Sequence, residues 1–331
     1  MKKTALIGII FILAGLMLAS GTWAEMIRIG EHQIVSHPAL DNDSKGFKAA
    51  LEEEGFVEGK NVVFDRQNAQ GDQSNCAIIA RKFEDDRVDL IHAISTPNAQ
   101  ASVKVSKTIP IVFSSVTGPV ETGIVPKMGK TGTHVTGVSD MWPIELQCRM
   151  YQDLVPHARR WGTIYNPGDV NVTIHIRDMK KAVEKMGGKL IEAHISSSSE
   201  VMQAAQSLVG RVDAIHITSD NTSVSAFEAI VKVCNANNIP LFAGDRDSTP
   251  RGAVAAYGLD YFKIGYTAGK KAARILKGEK PGEVEAGLAE GYSLWVSLKH
   301  AKAQGLELPK TLIEKAADKL WDEQGNVVKG Q

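Results

Sequence analysis

Residues 89–97 read DLIHAISTP, and residues 213–221 read DAIHITSDN. Each is an apolar run of strand length that ends in a small polar cluster. Each leads into a stretch of helical spacing and then into an apolar strand opened by Ile-Pro. Those strands are Ile109-Pro110-Ile111-Val112-Phe113 and Ile239-Pro240-Leu241-Phe242-Ala243. Strand, helix and strand in this order specify a parallel βαβ unit with a right-handed crossover. Solenoid repeats recur every ~20–50 residues. A phrase written only twice, so far apart, is a duplicated domain.

The flanks extend the pattern in both halves. In the first, strands are expected at 27–34, 61–65, 90–95 and 110–115, with helices at 43–54, 74–85 and 98–107. In the second, strands are expected at 161–165, 189–195, 214–218 and 240–243, with helices at 172–186, 199–209 and 222–235. Such alternation places the chain in the α/β class, as two similar doubly wound parallel-sheet lobes joined by a multi-strand hinge. The Gly-, Thr- and Pro-rich segment 116–139 reads as the exit from lobe one, with a crossing strand at 136–139. Beyond the apolar stretch 253–259 come a helix at 262–277, a turn at 278–282 and a return crossing at 284–288. A helix at 294–304 would then rejoin lobe one. The expected division is therefore 27–138 plus 284–331 for lobe one and 139–283 for lobe two.

The first residues stand apart. Lys2 and Lys3 precede an uncharged apolar run from Ala5 to Ala19, and Thr22-Trp23-Ala24 offers small residues where a signal peptidase cuts. The run is short of the ~20 residues a spanning helix needs. Residues 1–24 therefore read as a signal peptide cleaved after Ala24, which sends the mature chain through the inner membrane to the periplasm. The absence of a Cys just after the run argues against a lipid anchor. Lys+Arg and Asp+Glu are both 38. That balance argues against a nucleic-acid partner, because affinity for a polyanion rests on clustered cations. Cys76, Cys148 and Cys234 make an odd set with no CxxC. Buried free thiols are the simpler reading, with one disulfide left open.

In open parallel sheets, ligands bind beyond the carboxyl ends of the strands. Both halves place polar groups there. Lobe one offers Gln33, Ser95, Thr96, Ser115 and Thr117, with Val116 between the last two. Lobe two offers Tyr165, Asn166, Ser219, Asp220, Asn221 and Asp245. Helix capping explains Thr96 before Pro97, and also Asp220, taken one at a time. Asn166-Pro167-Gly168 is a turn signal on its own. As a set they share one end of two facing sheets and line a cleft. A carboxylate buried in such a cleft needs a cation, and a ligand ammonium would serve. Asp220 or Asp245 is expected to hold that ammonium. Ser95, Ser115 and Thr117 are expected to hold a ligand carboxylate, and Tyr165 or Trp142 to pack on its side chain. An α-amino acid carries both charged groups; a sugar or polar heterocycle remains open.

Catalytic signals are poor. No GxSxG elbow and no HExxH pair occurs. His92 and His216 lie inside the repeated strands, where core histidines belong. Gly123 to Thr131 mimics a phosphate loop with one residue too many. Asp245-Arg246-Asp247 reads as a local ion pair rather than a metal site. Asn171-Val172-Thr173 fits a glycosylation sequon and reads as a helix start. No catalytic residue, metal or cofactor is expected.

Several stretches resemble one family. They are His37-Pro38-Ala39-Leu40-Asp41, Gln67-Asn68-Ala69-Gln70-Gly71-Asp72, Ser95-Thr96-Pro97, Ile109-Pro110-Ile111-Val112-Phe113, Ser219-Asp220-Asn221-Thr222 and Ala256-Tyr257-Gly258-Leu259-Asp260-Tyr261. In this order they resemble ABC-transporter substrate-binding proteins of the group that includes tryptophan- and tyrosine-binding members. The resemblance implies a type I periplasmic binding-protein fold, a small-molecule ligand, usually an amino acid, and delivery to an ABC permease with its ATPase. Where that family reads Val-Thr-Asp-Pro, this chain has Val116-Thr117-Gly118-Pro119. Ser36 and Ser297 also depart from the family pattern. A ligand-sensing module feeding a membrane receptor or kinase is the alternative the same fold would serve, and an exported α/β enzyme is a more distant one.

Overall fold

The computed structural model describes residues 26–308, 313, 314 and 316–330. The expected signal peptide lies outside them. The first half runs β1 (Ile27–Gln33), α1 (Pro38–Glu53), β2 (Val62–Asn68), α2 (Gln73–Asp85), β3 (Leu90–Ile94), α3 (Thr96–Val105), β4 (Ile111–Val116) and β5 (Val135–Ser139). The second runs α4 (Ile144–Leu154), β6 (Arg160–Tyr165), α5 (Val170–Lys185), β7 (Lys189–His194), α6 (Val201–Leu208) and β8 (Ala214–Ile217). It continues through α7 (Asn221–Ser225), α8 (Phe227–Asn237), β9 (Leu241–Ala243) and β10 (Ala255–Gly258). Then follow α9 (Tyr261–Leu276), β11 (Gly287–Leu288), β12 (Ser293–Ser297), α10 (Leu298–Ala303), β13 (Lys319–Trp321) and β14 (Val327–Lys329).

Two sheets result. One has the order β11-β5-β4-β3-β1-β2 and is parallel throughout. The other has the order β14-β13-β12-β10-β9-β8-β6-β7, with β12 antiparallel to β10. The doubled phrase is β3 and β8. Every residue of both strands is buried, as expected of strands covered by helices on both faces. Their central histidines hold matching positions, His92 beside Val112 of β4 and His216 beside Phe242 of β9. Cys76, Cys148 and Cys234 are free and buried.

The lobes divide differently from the expected 27–138 plus 284–331 and 139–283. Helix α9 lies on α1 of lobe one. A Cβ at Gly265 would collide with the Asp43 carbonyl oxygen, and one at Gly46 with that of Phe262. Only glycines let the two backbones come so close. Strand β11 pairs with β5, so α9 and β11 belong to lobe one. The C-terminal segment goes the other way. The expected helix at 294–304 splits into strand β12, with Leu294 and Val296 buried, and the short helix α10. Strands β12 to β14 extend the sheet of lobe two. The chain therefore crosses between lobes at 140–143, 259–260 and 289–292. Three crossings make a hinge with defined axes rather than a loose tether.

Sheet order now ranks the strand ends. Those of β4 and β9 lie beside the crossing strands, those of β3 and β8 next, and those of β1 and β6 farther out.

Candidate functional site

Between the lobes lies a narrow cavity lined by residues of both. Its lobe-one wall is built by the ends of β3 and β4 and the start of α1. Ser95 (φ +83°) and Ser115 (φ +52°) both adopt positive φ, a conformation that costs a non-glycine residue free energy and gathers at functional sites. The Ser95 Oγ is buried with no hydrogen-bond partner among the described residues. The Thr96 Oγ1 accepts from the Thr117 N–H at 3.1 Å, so its own proton is free to donate. Ser115 and Thr117 differ. The Ser115 hydroxyl donates to Asp43, and that of Thr117 donates to Asp140 at 2.9 Å. Both protons are therefore committed, and these two oxygens can only accept. They suit an ammonium better than the carboxylate expected of them.

Lobe two supplies Ser219, Asp220, Asn221, Asp245, Asn171, Val224 and the crossing residue Trp142. The Trp142 ring stacks on His175, centroids 5.1 Å apart, and occupies the space a Cβ at Gly244 would need. Its backbone N–H donates to His175 Nε2 at 3.3 Å. The Nδ1 of that ring therefore carries the proton and donates to Ser219 Oγ at 2.7 Å. The hydroxyl proton of Ser219 is left to face the cavity. Burial holds the His175 pKa down to about 3, so the ring is neutral. The Trp142 Nε1 is buried near the Tyr261 hydroxyl, without a hydrogen bond of good geometry among the described residues.

Three buried carboxylates line this space. Asp220 caps α7 through Ser223 N (2.7 Å) and also accepts from Asn166 N (2.9 Å). Desolvation pushes its pKa up to about 6. Asp245 accepts from Ser248 N (2.9 Å) and Ser248 Oγ (2.7 Å). Asp140 accepts from Thr117 Oγ1 and from the Tyr261 hydroxyl, both at 2.9 Å. Burial raises the pKa of Asp245 and of Asp140 as well. Asp140 stands at a crossing and Asp245 just after β9, so both lie toward the hinge end of the cavity, and both raise the pKa of the buried Tyr261 hydroxyl. The neighbouring Arg246, expected to pair locally with Asp245 and Asp247, instead binds Asp260 at 2.5 Å.

Nine of the sequence-derived residues therefore meet at one cavity: Ser95, Thr96, Ser115, Thr117, Trp142, Ser219, Asp220, Asn221 and Asp245. Four do not line it. The Gln33 amide is spent on Val35 O and Asp41. Val116 is buried in the sheet. The Tyr165 hydroxyl turns to Glu192 of β7 at 2.5 Å. The Asn166 side chain caps Gly168, and only its backbone serves Asp220. Sequence reasoning missed His37, Leu40, Asp140, Asn171 and Tyr261. The motifs that carry the family resemblance already contained His37, Leu40 and Tyr261, while Asn171 had been read only as a helix start.

The lobes touch across the cleft mouth. Gln73 donates to Asp169 Oδ1 (2.6 Å) and Gly168 O (2.9 Å), Asn42 reaches Asp247 (3.3 Å), and Arg177 pairs with Glu121 (2.5 Å). The Asp of the family pattern at position 118 would not fit here. Gly118 has φ +59°, and a Cβ there would press on Ile174.

Comparison with known proteins agrees with this architecture. The family model described as ABC transporter substrate binding protein matches residues 28–320. A tyrosine-binding protein of Clostridioides difficile is 43% identical over 77% of this chain and 74% of its own length. A Streptococcus pneumonia domain solved in complex with L-Trp superposes with a TM-score of 0.84 at 28% identity, covering 89% of this chain and 100% of that one. A ligand-free, open substrate binding protein from Clostridium difficile is 37% identical, with 86% and 96% coverage, yet its TM-score is 0.64. The lobe arrangement here is thus nearer the ligand-bound relative, although the open one is nearer in sequence. The chain belongs to the ABC transporter substrate-binding protein family, with the two-lobed fold of periplasmic binding proteins.

Proposed function

We propose that this protein captures a free amino acid with an aromatic side chain in the inter-lobe cavity and hands it to an ABC permease. One observation carries the reading. Asp140 and Asp245 are both buried in the lining of this cavity with no cation in hydrogen-bonding contact among the described residues, and the same lining holds hydroxyls with free protons. A ligand bringing its own ammonium satisfies the carboxylates. Its carboxylate then meets the hydroxyls of Ser95, Thr96 and Ser219 and the open N–H groups at the start of α3. The names of the tyrosine-binding relative and the tryptophan complex support an aromatic side chain. Asp220 has a backbone donor on each oxygen, so the ammonium role falls to Asp245 with Asp140. Export to the periplasm with cleavage after Ala24 fits a protein that meets its ligand outside the inner membrane.

Calorimetric titration of the mature chain with single amino acids tests this. Binding of an aromatic amino acid is expected. Asp140→Asn and Asp245→Asn should each weaken it by about two orders of magnitude, the usual cost of removing one partner of a buried charge pair. Undiminished binding in both variants would remove the ammonium site.

A further inference from the structure

We propose that His37 reads a hydrogen-bonding group on the ligand's aromatic ring, making the cavity selective for tyrosine or tryptophan over phenylalanine. The inference rests on the amino-acid reading above and goes on to name the residue that sets specificity.

His37 is 8% exposed and lines the cavity. Neither ring nitrogen has a partner of good hydrogen-bond geometry among the described residues; the Asn221 side chain comes close enough to interact with one of them, which leaves the other bare. A buried imidazole nitrogen left bare is rare, because it costs free energy when unpaired. The ring is not needed by its own helix. His37 is the N-cap residue of α1 and makes no side-chain cap bond. Burial lowers its pKa to about 4, so near neutral pH it carries one N–H and one bare acceptor nitrogen.

Its position fits a side-chain subsite. His37 follows β1, on the far side of β3 from the hinge, whereas Asp140 and Asp245 stand at the hinge end. An amino acid anchored there by its ammonium extends its side chain outward along the strand ends. The wall beside His37 is apolar, formed by Ala39, Leu40 and Val224. Across from it, Asn171 Oδ1 is also buried without a partner among the described residues. A flat ring fills the apolar part. A phenol O–H or indole N–H at its rim donates to the bare nitrogen of His37. A phenyl ring fits the same space and leaves that nitrogen unpaired, which a site built for hydrogen bonding penalises.

The test is calorimetric titration of the mature protein and of His37→Leu and His37→Gln with L-tyrosine, L-tryptophan and L-phenylalanine. Each variant's thermal midpoint is measured alongside. In the wild type, phenylalanine should bind roughly ten- to a hundredfold more weakly than the better of the other two. His37→Leu should shrink that ratio to within about threefold by losing the polar ligand while keeping phenylalanine. His37→Gln, which keeps a donor and an acceptor, should restore part of it. Equal weakening of all three ligands in His37→Leu would place the ligand's charged groups at His37 and overturn the proposal. So would a ratio unchanged from wild type, or a wild type that binds phenylalanine equally well. Failure of the wild type to bind any of the three is a separate result, which sinks the amino-acid reading itself.

Discussion

Asp220 shows how a residue can line a ligand cavity and still work for the fold. Both its oxygens are taken by backbone N–H groups, one in the α7 cap and one at Asn166. These bonds hold the ends of β8 and β6 in register. Burial nevertheless raises its pKa to about 6, against 3.8 for the unperturbed group. The native state therefore keeps a proton that the unfolded chain has already lost between those values. Its contribution to stability is complete below the unfolded pKa and is lost as pH rises through 6. The shift corresponds to about 3 kcal/mol. In Asp220→Asn this pH dependence vanishes. The variant starts less stable, because its amide cannot accept from both N–H groups. It should then gain on the wild type by about 2 kcal/mol between pH 4 and 6.5. Urea unfolding at the two pH values measures this, and a constant gap would show that Asp220 stays ionised throughout.

At the level of elements, the seam between α1 and α9 decides how the chain is shared between lobes. It closes because Gly46, Gly265 and Gly269 remove the side chains that would keep the helices apart. Gly265→Ala should cost about 1–3 kcal/mol or more by overpacking. It should also weaken ligand binding, since Tyr261 begins α9 and Asp43, which holds Ser115, sits in α1. Gly287→Ala in β11 meets nothing within 4 Å, so it should stay within ~0.5 kcal/mol of wild type. Equal stability of the two variants in chemical denaturation would refute the seam. The same elements mark what could be read from the sequence. The paired strands β3 and β8, their Ile-Pro successors and the polar rims were legible because burial on both faces leaves unbroken apolar runs ended by caps. The exchange of α9 and β12 between lobes was not, because periodicity gives an element's type and says nothing about its partner. The small-residue spacing of Gly265 and Gly269 was the available clue. Sheet position explains Tyr165. It ends β6, far from the crossings and next to β7, where Glu192 and His194 take its hydroxyl. Asp140 and Tyr261 were hidden because they stand at crossings, whose positions follow from that same exchange.

The whole molecule joins these parts into a switch. Closing the lobes takes Asp140 and Asp245 out of water, and burial opposes their charge. The latches at the mouth are few. Arg177 and Glu121 are both about half exposed, and such pairs contribute ~0–1 kcal/mol. The ligand-free chain should therefore spend most of its time open, with the carboxylates hydrated. An ammonium held by Asp140 and Asp245 offsets the desolvation only when both lobes surround it, and so it shifts the population toward the closed form. Neutralising the carboxylates separates the two effects. In a doubly substituted Asp140→Asn, Asp245→Asn protein, closure no longer buries those two charges, although the ligand has lost its anchor. Small-angle scattering should show the wild type contracting when its amino acid is added. The double variant should be more compact than the wild type before any ligand is present and should change little afterwards. A ligand-free variant as extended as the ligand-free wild type would mean that buried charge does not hold the lobes apart, and the geometry of the hinge itself would have to set the open state.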